Sequence, residues 1–177
     1  MTPKLADLSD IPVILRITDA GRRAQREQGF LQWQDGYPDK AIVESDILLG
    51  AGRLLLDGDT PVAYASLIVS DPGYEALGDI WRYSGPYGVI HRMAVSDAYR
   101  GKGVSGIFFD FLEADAADKG IKAIRVDTGR ENMVMQHILS RRHYCSHGLH
   151  TFPWGPRLAY EKLLVARPDC DDANWPN

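Results

Sequence analysis

Between Gly88 and Asp127 the chain reads as strand, glycine turn, helix and strand. The apolar run GVIHRMAV leads into YRGKGVSG, then into the helical pattern VSGIFFDFLEADAADKG and a second strand-like run, KAIRVD. Two strands joined through a helix lie parallel in one sheet, which fixes the local topology. The flanking segments predict hairpins instead. GRLLLDGDTPVAYASLIV sets two apolar runs about Asp57-Gly58-Asp59, and the runs near YCSHGLHT and RLAYEKLL flank a Pro-Trp-Gly-Pro turn. A first helix is predicted from a cap at Asp7 or Ser9 to Gln28, with Ile11, Ile14, Leu15 and Ile17 at helical spacing. Shorter helices are predicted near KAIVESDILL and over NMVMQHILSRRH, and a loop from Ser70 to Pro86. The expected fold is α/β (α+β), with a mixed, mostly antiparallel central sheet, helices on both faces and one parallel βαβ crossover. One domain is expected over residues 1–166, with a polar tail at 167–177.

The 177 residues suffice for one domain with a real core, and the net charge of −4 is spread over interleaved acids and bases. No nucleic-acid surface is expected from that pattern. Cys145 and Cys170 give neither metal-ligand spacing nor a disulfide framework. The N-terminal stretch MTPKLADLSDIPVIL lacks the pattern of a signal peptide, and the longest apolar run, VAYASLIV, is too short to span a bilayer. The expectation is a reduced, soluble, cytoplasmic protein that uses no metal and no membrane partner.

Residues 101–106 fit G-x-G-x-x-G, and Asp127 follows at the distance of a dinucleotide-binding fingerprint. Three observations count against a nicotinamide site. Five residues separate Val95 from Gly101, whereas the fingerprint's first glycine ends its strand directly. Only fifty residues follow Asp127, too few for further βαβ units, and the motif sits behind a hairpin. The physical content of the motif survives: glycines before a helix expose N–H groups that the helix dipole reinforces, which suits a diphosphate. The alternative is a turn that binds nothing.

The segment HRMAVSDAYRGKGVSGIFFDFL resembles the acetyl-CoA-binding segment of the GNAT superfamily of N-acetyltransferases. That superfamily's pattern is Arg or Gln, two residues, Gly, one residue, then Gly or Ala. Arg100-Gly101-Lys102-Gly103-Val104-Ser105 matches it, with Ser105 as a mild departure. DTGRENMVMQHILSRRHYCSHG also looks like the family, and the likeness covers about residues 87 to 165. QWQDGYP and YGVIHRMAV are similar to one bacterial subgroup.

The resemblance implies the acyl-CoA N-acyltransferase fold and acetyl-CoA as co-substrate. Met93 and Val95 would bond the pantetheine arm through the main chain, and an N–H near Met93 or Ala94 would polarise the thioester carbonyl. The amides of Gly101, Lys102, Gly103, Val104, Ser105 and Gly106 would bind the pyrophosphate. Arg100 and Lys102 either add charge there or are simply solvated. Asn132 would contact the pantetheine, cap the next helix, or both. His91, four residues before Val95, is the candidate base, since an amine of pKa about 10 is neutral only about once in a thousand molecules at pH 7. Arylalkylamine acetyltransferases are similar in having His there, while the alternative is a structural histidine. Where many members carry a proton-donating Tyr, this chain has Leu139, leaving water or Ser140 for the departing thiolate.

Trp33, Tyr37, Tyr74, Trp81, Tyr83, Tyr87 and Trp154 form an aromatic set on the acceptor side, with Trp33, Tyr37, Trp81 and Tyr87 the expected substrate-binding residues. About half of the set is expected to close the core instead. The expected acceptor is a small-molecule amine, taken in a ternary complex by a monomer or homodimer. A protein or peptide acceptor, and a non-catalytic acyl-CoA-binding module, remain open alternatives.

Overall fold

The computed structural model describes residues 1–30 and 32–164; the 167–177 tail and Cys170 lie outside the described residues. The predicted elements are present. They comprise helices α1 (Ile11–Glu27) and α2 (Lys40–Leu48), strands β2 (Gly52–Asp57) and β3 (Thr60–Val69), then β4 (Tyr87–Val95). Helix α4 (Val104–Asp118), β5 (Ala123–Thr128), α5 (Met133–Arg141), β6 (Cys145–Phe152) and β7 (Gly155–Leu163) complete them. Two elements are additions to the sequence reading, strand β1 (Thr2–Leu5) and the single-turn helix α3 (Pro72–Glu75) inside the supposed loop. Asp7 does cap, but it caps a 3-10 turn at Leu8–Asp10 that leads into α1.

One seven-stranded sheet runs in the order β1-β2-β3-β4-β5-β7-β6, and β4·β5 is its parallel pair. Alternation along the strands sorts side chains to the two faces. Leu54 and Tyr64 meet α1 and α2 through Ile14, Ile17 and Val43, while Leu55, Ala63 and Ala65 meet α4 through Phe108, Phe109 and Leu112. No described helix is long and apolar enough to cross a membrane.

Candidate active site

The parallel ladder between β4 and β5 is short. It holds Tyr87↔Ala123, Gly88↔Ile124 and Val89↔Arg125, and then the two strands run on without pairing. A cavity of about 650 Å³ occupies the opening, lined by Ile90 to Met93 on one side and Val126 to Thr128 on the other. Strands that part in this way present main-chain groups to an extended amide chain, which can add as a further strand.

A bulge shapes the β4 wall. Against β3, His91 faces Ser66 and Ala94 faces Tyr64, so Arg92 and Met93 together oppose one residue. Arg92 takes φ 57°, a conformation unfavourable for a side-chain-bearing residue. Its guanidinium compensates through full bonding: Nε and Nη2 donate to Asp46 at 2.7 and 2.5 Å, and Nη1 donates to the Tyr37 hydroxyl at 2.6 Å. Tyr64 donates to the same carboxylate at 2.8 Å. Burial opposes the charge on Arg92, but Tyr37 and Asp46 outweigh it and raise the guanidinium's pKa. Met93 therefore lies in the bulge and past the end of the β5 ladder.

His91 stands on this wall with Nε2 3.1 Å from Asp71 Oδ2. Asp71 is itself fixed. Its Oδ1 accepts from Gly73 N at 2.8 Å, and its backbone N–H and carbonyl both bond the Tyr87 hydroxyl at 3.2 Å. Burial would raise the Asp71 carboxyl, but His91 and the amides of Gly73 and Tyr74 outweigh it and hold the pKa below its ordinary value. An ionised Asp71 makes Nε2 the donor, so Nδ1 carries the lone pair. Sequence reasoning missed Asp71. Its signal was the Asp-Pro-Gly run, which marks an N-cap and turn.

A second carboxylate, Asp127, lines the cavity from β5. Tyr74 donates to Oδ1 at 2.6 Å, Trp154 Nε1 donates to Oδ2 at 3.3 Å, and Arg157 Nε lies 3.6 Å from Oδ2. Burial, and then the charge of Asp127, push the Tyr74 phenol well above its usual range, so it remains a donor.

At the end of β4 the chain makes a 3-10 turn at Asp97–Tyr99 and reaches α4 through the glycines. Gly103 is the N-cap in the left-handed region, φ 76°, with no side chain capping the helix. The amides opening this 15-residue helix thus meet no capping side chain, as anion binding requires. Arg100 is tied back by Nη2 to Ala20 O at 3.0 Å and to Asp97, and Lys102 lies over the Tyr99 ring. Asn132 caps α5 by accepting from Met135 N at 3.0 Å and also borders the cavity.

Of the expected site residues, His91, Met93, Asn132, Trp33 and Tyr37 border this one cavity, joined by Trp154. The glycine turn, Arg100, Ala94 and Val95 do not border it; Ala94 packs among Ile14 and Ile17, and Val95 packs on the α4 side. Trp81 and Tyr87 are corrected to structural roles. Tyr87 is 8% exposed, and the two rings sandwich Arg125 at 4.3 and 3.7 Å. Leu139 is fully buried, and Ser140 is exposed away from the cavity.

The chain matches the acetyltransferase (GNAT) family over residues 18–144. It is similar to the crystal structure of a GNAT-family acetyltransferase from Streptococcus agalactiae, with 30% identity, 92% of this chain and 94% of that one covered, and a TM-score of 0.81. A GNAT-family acetyltransferase from Listeria monocytogenes shares the fold at 21% identity, with 92% and 94% covered and a TM-score of 0.74. The YncA protein of Salmonella typhimurium, solved with acetyl-CoA, shares it at 19% identity, with 96% and 98% covered and a TM-score of 0.65. No curated protein matches the sequence.

Proposed function

Because this chain belongs to the GNAT family of acetyltransferases, we propose that it transfers the acetyl group of acetyl-CoA to a primary amine of a small-molecule acceptor by direct attack in a ternary complex. The observation that carries this is the parting of β4 and β5 beyond Val89 and Arg125, with His91 on the exposed wall. The pantetheine arm lies along Met93 to Val95, and the pyrophosphate rests on the amides from Gly101 to Gly106 at the positive end of α4.

The acceptor enters from the side of Trp33, Tyr37 and Trp154. Nδ1 of His91 takes its proton, and Asp71 stabilises the resulting imidazolium. The amine nitrogen then attacks the thioester carbon. The negative charge that develops on the carbonyl oxygen is met by the main-chain N–H at the bulge. Collapse breaks the carbon–sulfur bond and expels a thiolate; the nitrogen of the new amide releases its remaining extra proton to water, and the thiolate takes a proton from water. A thiol of pKa about 8.5 is a fair leaving group near neutrality, so no side-chain acid at Leu139 is needed.

The test is to measure free-thiol release while acetyl-CoA and an amine are varied together. Direct transfer predicts intersecting reciprocal plots. Parallel plots would indicate an acyl-enzyme, and acetyl-CoA binding with no thiol release from any amine would indicate a binding module.

A further inference from the structure

Arg92 stands where glycine would be the easier choice. Its φ of 57° lies in the left-handed region, which Gly101 and Gly103 occupy without strain. Among the described residues, Trp33, Ser70 and His143 are the other non-glycine residues with positive φ, and Trp33 borders the same cavity. A residue with a side chain persists there only when its surroundings over-determine it.

Those surroundings begin at Asp46 on α2, outside the cavity lining. Asp46 accepts from Nε and Nη2 of Arg92 as a bidentate fork, and one of its oxygens also accepts from the Tyr64 hydroxyl. The side chains of Asp46 and Arg92 are 4% and 9% exposed, so solvent does not loosen the pair. Both oxygens of Asp46 are met, and it serves the site only through what it holds. The planar fork fixes the direction of the remaining nitrogen. Nη1 is aimed at the Tyr37 hydroxyl, 2.6 Å away. Arg22 holds the main chain of that loop at Gly36 O and Pro38 O, whereas Arg92 holds the ring hydroxyl. One guanidinium thus joins two walls of the cavity. The first is the β4 bulge between His91 and Ala94, and the second is the Tyr37 ring, 6.2 Å from Trp33.

We infer that Asp46 and Arg92 are positioning residues for acetyl transfer. Asp46 orients the guanidinium, and the guanidinium sets both the bulge main chain beside the thioester and the acceptor-side ring of Tyr37. This rests on the acetyltransferase reading of the same cavity. Packing α2 on the sheet needs neither the strained backbone nor the bond to a cavity ring.

The experiment separates the two tasks. Asp46→Asn is combined with Arg92→Gly in one variant and with Arg92→Ala in another. Both remove the buried ion pair and the bond to Tyr37, but only glycine still takes the left-handed bulge without strain. Thiol release from acetyl-CoA is measured with phenethylamine, butylamine and methionine, and kinetics are taken with the one the wild type uses fastest. The glycine variant is expected to exceed the alanine variant in kcat by roughly fivefold to thirtyfold, the population equivalent of left-handed strain, and to melt about 2–8 °C higher. At an unstrained position alanine would be the more stable of the two, so the order itself carries the result. Tyr37→Phe removes only the hydroxyl and is expected to raise the acceptor's KM by roughly threefold to tenfold, with the smaller part of the effect in kcat. Both double variants should share that rise.

Equal kcat in the two double variants, or alanine melting above glycine, would reduce the pair to a packing contact. Two double variants that fail to fold would make it a folding element, and an unchanged KM in Tyr37→Phe would remove the acceptor side. Each of these overturns the inference and leaves the acetyltransferase reading, which is tested on the wild type, intact. A wild type that releases thiol with none of the three amines would overturn both.

Discussion

Replacing His91 with alanine is expected to lower kcat near neutral pH by about a hundredfold to ten-thousandfold, the usual contribution of a positioned proton acceptor. The variant should still fold, because His91 lies at the cavity wall and its polar tie in the structure is to Asp71. The pH dependence separates a base from a packing residue. Without His91 only the already neutral amine reacts, so the rate should climb about tenfold per pH unit up to the amine's own pKa. The wild type should show a much shallower rise. Asp71→Asn should lose less than His91→Ala, because it removes the orientation of the ring while keeping the ring. Stopped-assay thiol release across pH 6 to 10, on the order of ten points, decides this. An alanine variant with a near-wild-type rate and an unchanged profile would remove His91 from the mechanism.

The largest effect on stability is expected at Glu161. Its side chain is 2% exposed and that of Arg125 is 4%, with Nε to Oε1 at 3.0 Å. The other carboxylate oxygen accepts from Arg82 N at 2.8 Å, and Arg125 also donates to Tyr83 O at 2.7 Å. The nearby His147 adds no second positive charge, since burial and then Arg82, His150 and Arg125 lower its pKa to about 4. Glu161→Ala therefore leaves a guanidinium buried between two aromatic rings with no counter-charge. Removing one partner of such a pair costs about 3–5 kcal/mol. For a chain of this size that corresponds to a fall in Tm of roughly 6–20 °C, readable by calorimetry. The double replacement Arg125→Met with Glu161→Leu should recover most of the loss, because no unpaired charge then remains. A single variant that melts like the wild type would contradict the pairing.

The sheet was largely legible because its strands carry period-two or continuous apolar runs and its turns carry glycine. Strand β1 escaped because TPKL is four residues with a proline and no apolar alternation, and it exists through pairing with β2. Helix α3 escaped because one turn carries too little periodicity to stand out from a loop. The glycine turn and His91 could be found because their neighbours lie close in sequence. The aromatic set could not be sorted in advance. Trp33 and Tyr37 border the cavity while Tyr74, Trp81 and Tyr87 close a core around Phe152, a difference made by contacts distant in the chain. Asp71, Asp127 and Arg157 read as isolated charges, and only the fold brings them together. Arg92 did leave a trace. A charged residue inside GVIHRMAV breaks the apolar run at the place where the bulge forms.

An acetyl-CoA site in the opening between β4 and β5, with the glycine turn at the head of α4, should show itself in ligand-dependent stability. The most direct measurement is the melting temperature of the protein with acetyl-CoA, CoA and NADH in parallel. At a hundredfold excess over Kd, a ligand of the folded state adds about 2.7 kcal/mol, which moves Tm by roughly 5–10 °C in a chain of this length. The expected result is a rise with acetyl-CoA and with CoA, and none with NADH. A rise with NADH alone would contradict it and turn Asp127 into a ribose contact, while no rise with any of the three would reduce the glycine turn to a bend that binds nothing.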